Sequence, residues 1–80
     1  MHILKTINPY FNDVSNGLKD FEIRINDRNF KVGDTIKLVE YEPYNTSINP
    51  RYLIKKIKYI LNGGMYGLEA NYVIIGMENI

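Results

Sequence analysis

Alternation of apolar and polar residues is the strongest pattern along this chain, and it predicts strands. From Lys19 to Ile25 the alternation is clean. Phe21, Ile23 and Ile25 share one face, and Asp20, Glu22 and Arg24 share the other. Such a segment reads as a half-buried strand with its apolar face turned to the core. Thr35 to Tyr41 behaves similarly, with Ile36 and Leu38 on one face and Glu40 in phase. From Asn71 to Met77, Val73, Ile75 and Met77 alternate with Tyr72, Ile74 and Gly76. Arg51 to Leu61 is the longest strand, but its phase slips. Tyr52 and Ile54 share one parity, while Ile57, Tyr59 and Leu61 share the opposite one. A β-bulge near Lys55-Lys56 reconciles the two halves. Ile3 to Thr6 supplies a further strand at the start.

The breaks between these runs carry their own signals. Asn8-Pro9 starts a short helix over Tyr10 to Asn16, with Asn8 as N-cap and Pro9 at the first helical position. Tyr10, Phe11 and Val14 lie roughly on one face of it, and Gly17 ends it by adopting positive φ. Asn26-Asp27-Arg28-Asn29 forms a turn. Phe30 and Val32 return towards the core before the Gly33-Asp34 turn. Glu42 to Pro50, with two prolines, is the longest loop and is expected to be mobile. Asn62 to Gly67 is a glycine-rich hairpin loop. The element order is therefore β-α-β-β-β-β: mainly β with one short helix (α+β), in one domain over residues 1–80. Short strands in this number argue for a small closed or nearly closed barrel, which also hides strand edges.

Composition narrows the function classes. With 80 residues the chain builds one compact core. It has no cysteine, which removes disulfides, thiolate nucleophiles and cysteine-based zinc sites. His2 is the only histidine, and no recognisable spacing of carboxylates joins it, so neither a metal nor a cofactor is expected. The N-terminus shows no secretory pattern and no run is long enough for a membrane helix, so a cytoplasmic protein without membrane contact is expected. Net charge is only +1, so any nucleic-acid contact should be local, neutralising few phosphates. Seven tyrosines offer stacking surfaces or wet core edges.

Gly17-Leu18-Lys19-Asp20-Phe21-Glu22-Ile23-Arg24 resembles the G-x-K-x-x-E-x-R motif of ASCH domains, which belong to the PUA-like superfamily of β-barrels. The similarity continues through His2-x-Leu4-Lys5, Asn26-Asp27-Arg28, Phe30-x-Val32-Gly33-Asp34, Glu40-Tyr41 and Gly63-Gly64-Met65-Tyr66-Gly67-Leu68. Together these resemble a compact subfamily of bacteria and phages that is described as RNA-binding by analogy. The resemblance implies a PUA-like barrel with a cleft lined by the motif strand. In some ASCH proteins that cleft binds RNA. In one group it hydrolyses an acyl group from a modified cytidine with a Lys, a Thr nucleophile and a Glu. Lys19 matches that lysine, but Glu22 stands where the threonine would be, so that mechanism is not carried over. A fold hosts many activities, and the motif specifies fold better than function.

Lys19, Glu22 and Arg24 are the candidate site. Glu22 and Arg24 lie on one strand face about 6.5–7 Å apart, whereas Lys19 has the opposite parity unless the preceding turn rotates it. A carboxylate can accept from an exocyclic amine, and a guanidinium can fork onto a phosphate or carbonyl pair. The competing reading is an exposed ion-pair ladder on a solvated face. Arg28 is held open as a further ligand contact, with Asn26, Asp27 and Asp34 as turn formers. Tyr66, in the glycine-rich loop, is placed over the cleft; that loop lacks the ending of a phosphate-binding P-loop. Arg51, Lys55, Lys56 and Lys58 form the one local basic concentration, read either as an RNA contact or as solvated charge that discourages edge pairing. Tyr52 and Tyr59 beside it are given partial core roles. Asn45-Thr46-Ser47 matches a glycosylation acceptor, which without a secretory signal carries no weight.

Three functions follow as expectations. The first is an RNA- or nucleotide-binding module using Lys19, Glu22, Arg24, Arg28 and Tyr66 beside the Lys19–Arg28 segment. The second is a hydrolase on modified nucleosides or RNA, with Glu22 as general base and Lys19 stabilising negative charge; it requires their side chains to converge. The third is a protein-interaction accessory domain of bacterial or phage type, with a tyrosine-rich patch around Tyr41, Tyr44 and Tyr52.

Overall fold

The computed structural model describes residues 1–44 and 49–80. Its elements are β1 (His2–Ile7), α1 (Tyr10–Ser15), β2 (Phe21–Ile25), β3 (Thr35–Tyr41), β4 (Tyr52–Asn62) and β5 (Tyr72–Asn79). The predicted order β-α-β-β-β-β is the observed one. Most of the Glu42–Pro50 loop expectation, and the Asn45-Thr46-Ser47 sequence, lie outside the described residues.

The five strands form one strongly curled sheet, a half-barrel, in the order β1-β3-β4-β5-β2. Only β1–β3 is parallel; the other three pairings are antiparallel. Consecutive β3, β4 and β5 are therefore neighbours, as short connections favour. The chain reaches β3 from β1 through α1 and β2, which leaves β1 and β2 as the two ladder edges. The inner face carries Leu4, Ile36, Leu38, Ile57, Val73 and Ile75, all buried. Helix α1 closes the core against β1 and β3 with Phe11 and Val14.

Local chemistry explains the junctions. The helix starts one residue later than expected: Pro9, not Asn8, is its N-cap and no side chain caps it, while Asn8 contributes by accepting the Asn12 N–H through Oδ1 at 3.1 Å. Gly17 takes φ +76°, and behind it the amides of Leu18 and Lys19 both donate to the Asp13 carbonyl, at 2.9 and 3.1 Å. Oδ1 of Asn26 accepts the Phe30 N–H at 3.3 Å, the turn role expected of it.

Several faces differ from the sequence expectation. The phase of β2 is inverted: Glu22 is 3% exposed, whereas Phe21, Ile23 and Ile25 are 41%, 52% and 48% exposed. The cause is register. Glu22 pairs with buried Ile75 and Arg24 with buried Val73, and paired residues share a face. The bulge lies between Ile57 and Tyr59, beyond the Lys55-Lys56 position expected for it. Lys58 is the extra residue, and it turns Tyr59 outwards with Leu61 while Ile60 packs inwards. Tyr52 and Tyr59 are thus exposed and are not core residues. Val32 is exposed as well, leaving Phe30 alone to enter the core from that loop. Tyr10 is half exposed, so only Phe11 and Val14 form the buried helix stripe. His2 is ordered by Asp34 at 2.8 Å and stacks edge-on against Phe30, ring centroids 4.7 Å apart.

No helix among the described residues is long and apolar enough to cross a membrane. Among them, too, no group of three or more His, Asp or Glu side chains is arranged to hold a metal ion.

Candidate functional site

The half-barrel curls until its edges β1 and β2 approach each other, and side chains span the remaining gap. Nη2 of Arg24, on β2, donates to the Lys5 carbonyl of β1 at 2.8 Å and to Thr6 Oγ1 at 3.2 Å. Arg28, just beyond β2, donates to the Ile3 carbonyl. Two guanidiniums therefore satisfy β1 carbonyls that face away from β3 and would otherwise lack a ladder partner.

At the centre of this seam lies the Glu22 carboxylate. Its Oε1 accepts from Arg24 Nη2 at 2.8 Å and from Thr6 Oγ1 at 3.3 Å. Its Oε2 accepts from the Lys19 ammonium. Thr6, like Glu22, is buried. A buried carboxylate is tolerated only when paired and hydrogen-bonded. Here two cations and a hydroxyl meet that condition, and among the described residues no buried side-chain polar atom lacks a partner. Lys19 precedes β2, so the strand's parity does not govern it, and its ammonium reaches the carboxylate. Its Nζ also donates to the Phe21 carbonyl at 2.6 Å and sits 5.0 Å from the Phe21 ring centroid. The sequence-predicted trio Lys19, Glu22 and Arg24 is thus brought together, as a compensated cluster rather than an exposed ladder.

Above the cluster opens a cleft of about 440 Å³. Buried Thr6 and Glu22, with Lys19 and Arg24, lie at its base, and the more exposed Lys5, Ile7, Tyr10, Phe21 and Ile23 wall it. These wall residues are what sequence reasoning missed. Phe21 and Ile23 were assigned to the core by alternation, and only the pairing with β5 shows them outside. Tyr10, placed on the helix's buried stripe, instead borders the cleft. Apolar side chains around a few convergent polar groups are the common make-up of a small-ligand site.

Arg28 lies off this cleft. It borders an adjoining cavity of about 280 Å³ shared with Arg24, Asp27 and Tyr72, and pairs loosely with Asp27 at 3.7 Å. Tyr66 is 89% exposed at φ +55° in the β4–β5 loop and lines neither cavity. Its expected place over the cleft is corrected: the hairpin projects from the ends of β4 and β5, away from the Lys19 end of β2. Nor do the basic residues of the β4 region form one patch. Arg51 is tied to Glu40 at 2.7 Å and to Asn12 at 2.5 Å, Lys55 turns to Asn79, and Lys56 and Lys58 are exposed.

Away from the cleft, two carboxylates are held below their ordinary range. Glu40 accepts from Arg51 and from Asn8, and these bonds hold its carboxyl down to about 2 while raising the Arg51 guanidinium. Asp34 is lowered chiefly by its hydrogen bond to His2, and it also accepts the Lys31 N–H as the expected turn former. Both pairs brace the structure: one joins β3 to the start of β4 and to α1, the other ties β1 to the turn before β3.

No curated protein matches the chain. A family model described as "Domain of unknown function (DUF3850)" matches residues 1–77, a span that takes in the seam, the lining of the cleft, β1 to β4 and β5 as far as Met77. The chain belongs to the DUF3850 family.

Proposed function

We propose that this protein is an RNA- or nucleotide-binding module whose ligand enters the cleft over the β1–β2 seam. The observation that carries this reading is the cleft's construction: Ile7, Tyr10, Phe21 and Ile23 rise around a cationic, hydrogen-bonding floor. A nucleobase has a flat apolar face and a polar edge, and this slot offers a surface for each. The resemblance of Gly17 to Arg24 to the ASCH motif supports the same site. Net charge of +1 suits a ligand held by one or two bases rather than by a long phosphate track.

Convergence of Lys19 and Glu22 is the geometry a hydrolase would need, but both Glu22 oxygens already accept hydrogen bonds. Glu22 is only 3% exposed, which leaves a substrate proton little access to its oxygens, so binding is the better reading of this cluster. A protein-interaction role draws on a different observation. Ile25 and Tyr59 extend the exposed apolar surface of β2 beyond the cleft.

The test is an NMR titration of labelled protein with short single-stranded RNAs and free nucleosides, at low and moderate salt. Amide shifts concentrated on β1 and residues 19–24 are expected. Shifts confined to Ile25 and Tyr59 would move the ligand site off the cleft, and none with any RNA or nucleoside would move the function to protein recognition.

A further inference from the structure

We propose that the outer face of β1, β3 and β4 is a stacking platform for a short single strand of RNA, which runs onto it from the cleft. This goes beyond the cleft reading and rests on RNA binding being the protein's role. Cross-strand partners share a face, so register lays the platform out. Lys5 of β1 pairs with Val39 of β3, and Val39 with Tyr52 of β4. Ile7 pairs with Tyr41 on one side of that row, and Lys37 joins Ile3 to Ile54 on the other. Lys5 and Ile7 also line the cleft, so cleft and platform are continuous.

Charge and aromatic placement choose the occupant. Among the described residues Lys5 and Lys37 stand in no ion pair. The carboxylate of β3, Glu40, pairs with buried Thr6 on the inner face and is bound by Arg51. Glu42 follows that strand, and Glu78 lies across from Lys56 further along β4. Each of the two lysines is instead set against a ring. Nζ of Lys37 is 4.4 Å from the Tyr52 centroid, and Nζ of Lys5 is 4.9 Å from that of Tyr41. Tyr52 is 58% exposed and Tyr41 39%. A cation over an exposed ring is held weakly. A phosphate offers the ammonium a full opposite charge, and the ring it uncovers is free to stack on a base. Tyr41 lies two residues beyond Val39, the partner of Tyr52. The two tyrosines are therefore diagonal neighbours, about 7–8 Å apart, and successive nucleotides reach one ring each. A protein partner fits this surface less well, because protein interfaces are depleted in lysine. Two lysines make a short phosphate contact, in keeping with a net charge of +1.

The test compares hexauridylate with uridine 5′-monophosphate, by chemical-shift titration of the full chain. Hexauridylate is expected to bind about fivefold or more tightly, the gain from stacking at least one further base. It should shift the amides of Lys37, Val39, Tyr52 and Ile54, which the monophosphate leaves unmoved. Equal affinities, with shifts confined to the cleft, overturn the inference and leave the cleft reading standing. Platform shifts from the hexamer, with no response of residues 19–24 to either ligand, overturn the cleft reading and keep the platform. Silence from both ligands overturns both and passes the tyrosine face to a protein partner. An abasic hexamer with the same number of phosphates should bind more weakly; equal binding would make the face a charge contact alone and sink the stacking role. Tyr52 and Lys37 line neither the cleft nor its neighbour beside Arg28, so they separate platform from cleft, with folding confirmed by circular dichroism. Tyr52→Ala should weaken the hexamer about fivefold or more and leave the monophosphate unchanged. Lys37→Gln should reduce the slope of log affinity against log salt by about 0.7, the share of one phosphate on a single strand. Unchanged hexamer affinity in the first variant, or an unchanged slope in the second, overturns the inference.

Discussion

Nη2 of Arg24 donates to a carboxylate, a hydroxyl and a main-chain carbonyl on two different strands, so this one side chain is framework and site at once. Removing it takes one of two cations from a buried carboxylate and a partner from the Lys5 carbonyl. Breaking a buried pair from one side costs about 3–5 kcal/mol. Arg24 is partly exposed, which lets water take some of its place, so Arg24→Ala should cost about 2–3 kcal/mol in urea unfolding. Thr6→Val removes a hydroxyl that both donates to Glu22 and accepts from Arg24, and should cost about 1 kcal/mol in the same assay. Lys19→Ala, at the rim, should cost less than Arg24→Ala while still weakening ligand binding. Should Lys19→Ala prove the more destabilising of the two, the central place given to Arg24 in the seam is wrong.

At the scale of elements, what could be read from the chain depended on what each strand pairs with. Strand β3 was legible in extent and facing because its inner residues are apolar and its outer face carries Lys37. In β2 the alternation was equally plain, but it marks two faces without saying which is inside. That choice is made by β5, and β5 is apolar on both faces: Tyr72 and Ile74 on one, Val73 and Ile75 on the other. No reading of β2 alone could resolve it. One signal did exist. Lys19, Glu22 and Arg24 carry charges of mixed sign that compensate one another, a condition for burial that a random solvated face need not meet. The bulge had a similar fate: the phase slip required one extra residue, and the pairing with β5, not the slip, puts it at Lys58. The β4–β5 hairpin makes a stricter demand. A Cβ on Gly63 would collide with the Glu69 carbonyl and lie 2.6 Å from the Tyr72 carbonyl oxygen, the acceptor of the Gly63 N–H. Both obstacles are main chain and cannot swing aside. Gly63→Ala should therefore cost well over the roughly 1 kcal/mol typical of a point mutation in urea unfolding; a midpoint within error of the parent would show that the hairpin relaxes freely.

Taken as a whole molecule, the half-barrel is braced by ion pairs away from its open side as well, and through their carboxylates its stability should depend on pH. Glu40 gives that dependence a sign and a window. Its carboxyl sits near 2 in the folded chain, below the ordinary 4.5, because Arg51 and Asn8 bond to the ionised form. The unfolded chain therefore takes up the proton first as pH falls. The contribution of Glu40 is complete above about pH 4.5 and is lost progressively towards pH 2. Asp34, lowered by His2, acts in the same direction. Glu40→Gln keeps the shape and an acceptor oxygen but removes the titrating charge. Thermal melts followed by circular dichroism between pH 2 and 7 should show the parent losing stability on the acid side more steeply than the variant, the two curves converging as pH drops below the window. At pH 7 the variant should be the less stable, because Arg51 has lost its counter-charge. Parallel acid limbs in the two proteins would mean that the Glu40–Arg51 pair is equally formed in the unfolded chain, and that the brace from β3 to β4 and α1 rests on packing alone.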